Sequence, residues 1–239
     1  AHADVRSGYQ GHQIDHQQNL EMTRLILEAM HESNVKKLAF ASTSSVYGDA
    51  NVHPTPENYP FQPTSLYGAT KAACESYIYT YANYYHWQTF IFRFVSFIGE
   101  RYQHGIIIDL MRQIQSKPKM LKLLSDGTPK KSSLYVKDGI SAIFKIIEKA
   151  KKCVNIYNIG HDEILTVNQI VDIIMKNMNC VLPKKYIGGD RGWIGDNNFV
   201  HLDNTRLKAL NWQPEKSIKE AIALTVKYLA SNPIILNPK

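Results

Sequence analysis

Tyr67 and Lys71 are the residues of this sequence whose types and spacing best fit a chemical role. Residues four apart on a helix lie on the same face, so a phenol and an ammonium can converge. A cation beside a phenol lowers the tyrosine pKa, which lets the side chain accept a proton nearer neutral pH. A hydroxyl from Thr43 can hydrogen-bond the same substrate oxygen. This set predicts proton transfer on an alcohol or carbonyl, although many Tyr–Lys pairs of this spacing are simply solvated.

The residues around this pair predict the elements that position it. Residues 37–41 read as a buried strand that runs into a polar turn over residues 42–48. Residues 51–62 are rich in proline and polar side chains, which is typical of a loop, and a long helix follows over residues 64–86. The phenol and the ammonium are therefore expected in the first turns of a helix, close to the end of a buried strand.

Several motifs together resemble the extended short-chain dehydrogenase/reductases, specifically their nucleotide-sugar epimerase/dehydratase group. The motifs nearest the pair are Ser-Thr-Ser-Ser-Val-Tyr-Gly at 42–48, the loop with Pro54 and Glu57, and Tyr-Gly-Ala-Thr-Lys at 67–71. Later motifs at 93–99, 134–138 and 202–214 extend the resemblance over nearly the whole chain. It implies a homologous fold and a related activity.

The implied fold is α/β: an N-terminally truncated, Rossmann-like, doubly wound parallel sheet with a smaller C-terminal α/β substrate domain. Residues 1–100 are expected to form the remaining part of the Rossmann-like domain. Residues 101–239 are expected to form mainly the substrate domain, with some segments returning to the first. The family's Gly-rich GxxGxxG turn, which approaches the cofactor pyrophosphate, is absent from this sequence. A fragment, a partner that supplies the missing unit, and a chain without turnover all remain open.

The resemblance also implies site residues and NAD as the cofactor. Tyr67 would take the proton of the sugar C4 hydroxyl, Lys71 would hold the nicotinamide ribose, and Thr43 would bridge the substrate oxygen. The residues implied at the cofactor are Gln18, Asn19, Ser42, Tyr67, Lys71 and Val95, and those implied at the substrate are Thr43, Ser96, His104, Lys131 and Arg191. Lys131 replaces the family's usual arginine at the diphosphate, and it keeps the charge but loses the bidentate fork.

Ser44 and Ser45 separate two possible reactions within the family. The 4,6-dehydratases have an Asp-Glu pair at these positions for elimination at C5 and C6, and a serine cannot abstract a carbon-bound proton in this way. Dehydration is therefore disfavoured, and 4-epimerisation of a UDP-hexose or UDP-uronate is the expected reaction. One-way carbonyl reduction by the same three residues stays open.

Composition bounds the remaining possibilities. The chain has 239 residues, of which 44% are hydrophobic, enough for a core. No apolar run approaches the roughly 20 residues of a membrane-spanning helix, and no signal-peptide pattern is present, so we expect a cytoplasmic protein. The net charge of +7 indicates a basic surface, because no nucleic-acid recognition motif accompanies the lysines. Scattered cysteines and histidines predict neither a disulfide framework nor a metal site.

The helix at 64–86 carries more tyrosines than one core-facing stripe can hold. In the family that this chain resembles, two central helices form a dimer interface, so a homodimer through residues 16–33 and 64–86 is expected. Packing of these tyrosines against the sheet and the substrate loops is the alternative.

Two classes of function follow from these observations. The first is an NAD-dependent nucleotide-sugar 4-epimerase or a fragment of one. The second is a non-catalytic nucleotide-sugar-binding or assembly module that has lost the cofactor domain.

Overall fold

The structure is a computed structural model that describes residues 2–5, 11–193 and 195–236. Helices and short runs of strands are interspersed along the chain. The helices are α1 (His12–Asp15), α2 (Met22–Glu32), α3 (Leu66–Tyr85), α4 (Ile106–Gln115), α5 (Val136–Lys149), α6 (Val167–Asn177), α7 (Thr205–Lys208), α8 (Ile218–Ala230) and α9 (Pro233–Leu236). The strands are β1 (Lys37–Thr43), β2 (Gln88–Phe94), β3 (Ser96–Ile98), β4 (Leu121–Leu123), β5 (Lys130–Lys131), β6 (Ser133–Tyr135), β7 (Val154–Ile159), β8 (Leu165–Thr166), β9 (Lys184–Tyr186) and β10 (Phe199–Val200).

A parallel sheet in the order β1-β2-β7 forms the centre of the fold. The side chains of its middle strand, β2, enter two apolar layers in turn, because successive side chains of a strand point to opposite faces. Ile91 packs with α2 and α3 on one face, whereas Phe90 and Phe92 pack with α5 and α7 on the other. Both faces of the sheet are therefore covered by helices, which confirms the predicted doubly wound α/β class.

A second apolar core lies among α4, α6 and α8, with β4 against it. Short strand pairs, β3-β6 and β4-β9, and the three-stranded sheet β10-β5-β8 surround it. The two cores do not correspond to two continuous halves of the sequence. Both β7 and α5 follow residue 100, yet β7 is a strand of the central sheet and α5 packs on one of its faces. The division into domains at residues 1–100 and 101–239 remains a prediction.

Apolar residues at helical spacing predict one helix over residues 15–33, and the observed helix differs from it in its first turns. The helix starts at His12, and between α1 and α2 the segment His16–Glu21 is a π-helix. In a π-helix each hydrogen bond spans one residue more than in an α-helix, which changes the phase of the side chains and is frequent near functional sites. Asn19 is buried within this segment. Because apolar periodicity does not mark such an insertion, the sequence predicted a continuous α-helix.

Other element boundaries lie close to their predicted places. The sequence also predicts a helix from Ser217, and the observed helix begins at Ile218, with Ser217 and Glu220 forming a capping box. A second helix that the sequence predicts from Gly139 begins three residues earlier, at Val136. Within the described residues, no helix is long and apolar enough to cross a membrane.

Candidate active site

The site is built where β1 ends and α3 begins. Thr43, the last residue of β1, accepts a hydrogen bond from the Ser45 amide at 3.1 Å and so caps a 3₁₀ turn over Ser44–Tyr47. Ser65 caps α3 by accepting from the Gly68 amide at 3.1 Å. Gly68 lies directly under the 3₁₀ turn, because a Cβ at this position would lie 2.5 Å from the Ser45 carbonyl oxygen. Only glycine lets the helix approach the strand end so closely.

One face of α3 carries three buried polar side chains at a spacing of four residues. Tyr67, Lys71 and Glu75 are 9%, 4% and 2% exposed, respectively. A spacing of four places them one above the other along the helix. The side of α3 that faces β1 is therefore lined by a phenol, an ammonium and a carboxylate.

Thr43 and Tyr67 lie close together at the end of β1, but the pKa of Tyr67 shifts in the direction opposite to the predicted one. Burial raises the pKa of the Tyr67 phenol above 10.0, the Thr43 hydrogen bond opposes this rise, and the negative charge of Asp15 adds to it. The predicted acidification of the phenol by Lys71 is therefore wrong for this arrangement. The reason is geometric: the Lys71 ammonium lies 5.9 Å from the centre of the Tyr67 ring and makes its hydrogen bond elsewhere.

Lys71 points at the strand rather than at the phenol oxygen. Its Nζ donates to the Ala41 carbonyl oxygen at 2.9 Å and lies 4.6 Å from the centre of the Phe40 ring. Burial lowers the pKa of Lys71 below 10.5, and the charges of Cys74 and Glu75 oppose this shift. The Lys71 ammonium is thus held against a neutral carbonyl and an aromatic face.

Ser42, implied by the resemblance as a cofactor contact, points into the protein. Its hydroxyl donates to the Glu75 carboxylate, and the residue is 3% exposed. Glu75 also accepts from Arg93, from Nε at 3.1 Å and from Nη2 at 2.6 Å. The Ser42 side chain is therefore a structural contact of Glu75. Successive residues of a strand point to opposite sides, which is why Ser42 and Thr43 have different partners.

The remaining cofactor candidates differ in their burial. Asn19 is buried and accepts from the backbone amide of His2 at 2.8 Å, whereas Gln18 beside it is exposed. Val95 follows β2 directly and is 4% exposed. Thr43 and Val95 thus mark the carboxyl ends of neighbouring parallel strands, the edge at which open α/β sheets bind ligands.

The two cations proposed for the substrate converge on one acidic residue. Lys131 Nζ donates to Asp196 Oδ1 at 2.8 Å, and Arg191 Nη1 donates to the backbone oxygen of the same residue at 3.2 Å. Arg191 also forms an ion pair with Asp49 at 2.6 Å. Their loop lies beside the start of α3, because Thr64 Oγ1 donates to Asn197 Oδ1 at 2.9 Å. Both cations are therefore near the helix that carries the phenol, but each is paired with a carboxylate.

Ser96 and His104 are exposed in this structure. Ser96 begins β3, where it is opposite Ser133 in the register with β6. The His104 ring stacks parallel to that of Tyr102 at a centroid distance of 6.2 Å. Their assignment to the substrate remains a prediction.

A buried polar network behind the site was not predicted from the sequence. Arg93 Nη1 donates to the Tyr47 hydroxyl at 2.8 Å and to the Glu57 carbonyl oxygen at 2.7 Å, and the Tyr47 hydroxyl donates to Asn158 Oδ1 at 2.7 Å. The network joins β1, β2, β7, α3 and the loop before α3. The position of Glu75 in the sequence could have indicated this network. Glu75 lies four residues after Lys71, on the helix face predicted to carry Tyr67 and Lys71.

Tyr47 gives the network a measurable pH dependence. Burial raises the pKa of Tyr47 to about 12. Because the folded-state pKa lies above the unfolded value of about 10, stability is fully present below pH 10 and is lost as pH rises through 12. A shift of about two units corresponds to roughly 2–3 kcal/mol in the free energy of unfolding. Urea titrations between pH 9 and pH 12 are expected to show this loss, and Tyr47→Phe is expected to flatten it.

The neighbouring Tyr59 supplies a matched control for that measurement. Its ring packs edge-on against Tyr47 with centroids 6.2 Å apart, and its hydroxyl donates to Asn51 near the surface. Tyr59→Phe removes a phenol hydroxyl from the same aromatic pair and therefore controls for the loss of a hydroxyl at this place. An equal slope in the wild type and in Tyr47→Phe would contradict the assignment to Tyr47.

Comparisons of the sequence and of the structure with known proteins point to the same family. The sequence model of the NAD dependent epimerase/dehydratase family matches residues 1–160. Among solved structures, a crystal structure of UDP-galactose 4-epimerase superposes with a TM-score of 0.87 and is 30% identical, covering 97% of this chain and 75% of its own.

Curated relatives include both reaction types of that family. The UDP-glucuronate 4-epimerase of Thermodesulfobacterium geofontis is 28% identical over 97% of this chain and 71% of its own length. The human dTDP-D-glucose 4,6-dehydratase is 25% identical over 90% of this chain and 62% of its own length. The chain thus spans between about three fifths and three quarters of the proteins that it matches, and both chemistries occur among them.

Proposed function

Because the chain belongs to the NAD dependent epimerase/dehydratase family, we propose that it carries the proton-transfer and substrate-binding part of a nucleotide-sugar 4-epimerase. The observation that supports this most is the meeting of the Thr43 hydroxyl with the Tyr67 phenol at the end of β1, with the Lys71 ammonium on the same helix face. The proposed substrate is a UDP-hexose or a UDP-uronate.

The residues present fit the nicotinamide end of NAD. Thr43 and Val95 follow the carboxyl ends of adjacent parallel strands, where dinucleotides bind in this class of sheet. Lys71 is a buried cation whose hydrogen bond goes to a neutral carbonyl, which leaves ammonium donors for ribose hydroxyls. When bound, NAD supplies reversible hydride acceptance at the sugar C4. Lys71 and Val95 would hold it there.

The chain's own residues supply the proton transfer. At neutral pH the buried Tyr67 phenol is protonated, since burial raises its pKa, so it is set to donate a proton to the C4 oxygen of a keto sugar. Thr43 donates or accepts at the same oxygen and fixes its distance from the phenol. In the opposite direction, oxidation of the C4 alcohol, Tyr67 must first have lost its own proton and then accepts that of the C4 hydroxyl, and burial in this structure disfavours the phenolate.

Elimination of water is not part of the proposal. Ser44 and Ser45 occupy the first turn after Thr43, and Thr43 Oγ1 donates to Ser45 Oγ at 3.1 Å. These hydroxyls cannot act as the carboxylate pair that dehydration at C5 and C6 requires. The site therefore favours epimerisation over the reaction of the dehydratase relatives.

We assign Lys131 and Arg191 to the substrate diphosphate. Both are close to the start of α3, and each exchanges a carboxylate partner for a phosphate on binding. Lys131→Met is expected to raise the KM for the UDP-sugar by about 10- to 100-fold with kcat little changed, because a contact made equally in ground and transition states affects binding alone. Steady-state kinetics measure this, with Lys122→Met, on the exposed middle of β4, as the control.

An unchanged KM in Lys131→Met would contradict the assignment. A fall in kcat at unchanged KM would also contradict it, since it would place Lys131 in the chemical step.

The same proposal includes a homodimer through α2 and α3. Met22, Leu25 and Ile26 on α2 are 41–46% exposed, and Tyr77 on α3 is 43% exposed. These exposed apolar side chains lie on two helices that contact each other, and we assign them to the dimer surface. Leu25→Glu is expected to convert a dimer to a monomer in light scattering coupled to gel filtration. A wild-type chain that is monomeric at all concentrations would contradict the dimer.

The test of function is the cofactor and turnover of the purified protein. Fluorescence of bound NADH after reduction, together with interconversion of UDP-glucose and UDP-galactose or of the corresponding uronates, would support the epimerase. Binding of UDP-sugar without NAD would instead support the nucleotide-sugar-binding module. We place the protein in the cytoplasm as part of the proposal.

A further inference from the structure

Glu75 connects the catalytic helix to two strands. Its carboxylate accepts from Ser42 on β1 and from both Nε and Nη2 of Arg93 on β2. Arg93 and Glu75 side chains are each 3% exposed. Charge-assisted, bidentate contacts of this kind are short and directional, so the carboxylate has a fixed place.

Three successive residues of β1 each contact a different member of the helix face. Thr43 lies close enough to Tyr67 to affect its pKa, the Ala41 carbonyl oxygen accepts from Lys71, and the Ser42 hydroxyl donates to Glu75. The helix and strand are therefore matched residue by residue. Loss of the contact between Glu75 and Arg93 would detach the Glu75 end of this helix face from β2.

The buried ammonium of Lys71 needs a nearby negative charge. A buried lysine loses hydration, which favours its neutral form unless an anion compensates. The groups that face it are Tyr67, Cys74 and Glu75 from α3 and the Phe40 ring and Ala41 carbonyl from β1, with Arg93 reaching it only across Glu75. Burial raises the pKa of the Cys74 thiol, so Cys74 is neutral near pH 7. Asp15 acts on Tyr67.

We propose that Glu75 is a positioning residue that, fixed by Arg93 and Ser42, holds the Tyr67–Lys71 face against β1 and keeps the buried Lys71 in its ammonium form. This inference deepens the proposed function, since Lys71 serves that reaction only as a cation. Glu75 acts through Lys71 and does not touch substrate.

The experiment is an NMR titration of Lys71 in the purified chain with ¹³C-labelled lysine, the Lys71 signal being assigned by its loss in Lys71→Met. Glu75→Gln removes the charge and keeps an oxygen that Ser42 can reach. The Lys71 midpoint is expected to move to lower pH in Glu75→Gln and to return toward the wild-type value in Glu75→Asp. Glu57→Gln is the matched control, because Glu57 is a buried carboxylate of the same network that accepts from the Asn158 amide at 3.1 Å.

If Glu75→Gln does not fold because Arg93 is left without its partner, Glu75→Gln/Arg93→Gln removes both charges and retains amide hydrogen bonding. The Lys71 midpoint is again expected to fall. An unchanged midpoint in a folded Glu75→Gln or double variant overturns the proposal, as does an equal shift in Glu57→Gln. The measurement needs neither NAD nor turnover, so its failure is distinct from failure of the proposed epimerase.

Discussion

Replacing Tyr67 by phenylalanine is expected to lower kcat for UDP-sugar 4-epimerisation by about 10²- to 10⁴-fold, the usual contribution of one acid–base group. The ring stays in place and loses only its hydroxyl. Tyr67 is 9% exposed, and Thr43 lies close enough to affect its pKa, so the variant removes the hydroxyl at the position proposed for the reacting oxygen. Because the change acts on the chemical step, KM is expected to move much less than kcat. Steady-state rates with NAD supplied measure the effect.

Tyr77→Phe is the matched control for that variant. Tyr77 lies on the same helix but is 43% exposed, on the surface assigned to the dimer. Its hydroxyl is expected to contribute nothing to the chemical step, so kcat should remain within about twofold of wild type. Full activity in Tyr67→Phe would remove the phenol from the reaction and would leave the proposed mechanism without its acid.

Arg93→Met is expected to lower the free energy of unfolding by about 3–5 kcal/mol, the range found when one partner of a buried ion pair is removed. The substitution leaves the Glu75 carboxylate buried, with Ser42 as its remaining donor. It also removes the bonds of Arg93 to the Tyr47 hydroxyl and to the Glu57 carbonyl oxygen. Urea denaturation monitored by tryptophan fluorescence reports the change.

Two further variants separate the ion pair from simple loss of packing. Glu75→Met/Arg93→Met removes both charges and is expected to recover a large part of the loss, because no uncompensated charge remains. Arg24→Met breaks a surface ion pair in which Arg24 is 34% exposed, and it is expected to lower the free energy of unfolding far less than Arg93→Met does. A double variant no more stable than Arg93→Met would show that the network depends on hydrogen bonds rather than on charge balance.

The sequence predicted the central elements of this site because their signals are local. The apolar run that forms β1, the capping serine of α3 and the four-residue spacing of Tyr67 and Lys71 can each be recognised within a few residues. The pairing of β1 with β2 follows from the βαβ arrangement, in which a helix connects adjacent parallel strands. Membership of the family, first indicated by motifs, is confirmed by the match over residues 1–160.

The features that the sequence did not predict depend on contacts between distant segments. The bond of Tyr47 to Asn158 joins residues 111 positions apart, and the partner of Ser42 lies 33 positions away. The direction of the Tyr67 pKa shift depends on how much burial exceeds the effect of the Thr43 bond, and spacing alone does not give burial. The carboxylates that pair with Lys131 and Arg191 likewise lie far from them in the sequence.

The position of β1 in the central sheet has a consequence for how the chain associates. Within the described residues β1 is hydrogen-bonded to β2 along one side, and its other side is the margin of that sheet. The outward amides and carbonyls of this seven-residue strand can pair with a further parallel strand, which would compete with Lys71 for the Ala41 carbonyl oxygen. The last residue of that margin is Thr43, so a strand added there would end beside the phenol and bring new backbone groups to the catalytic edge.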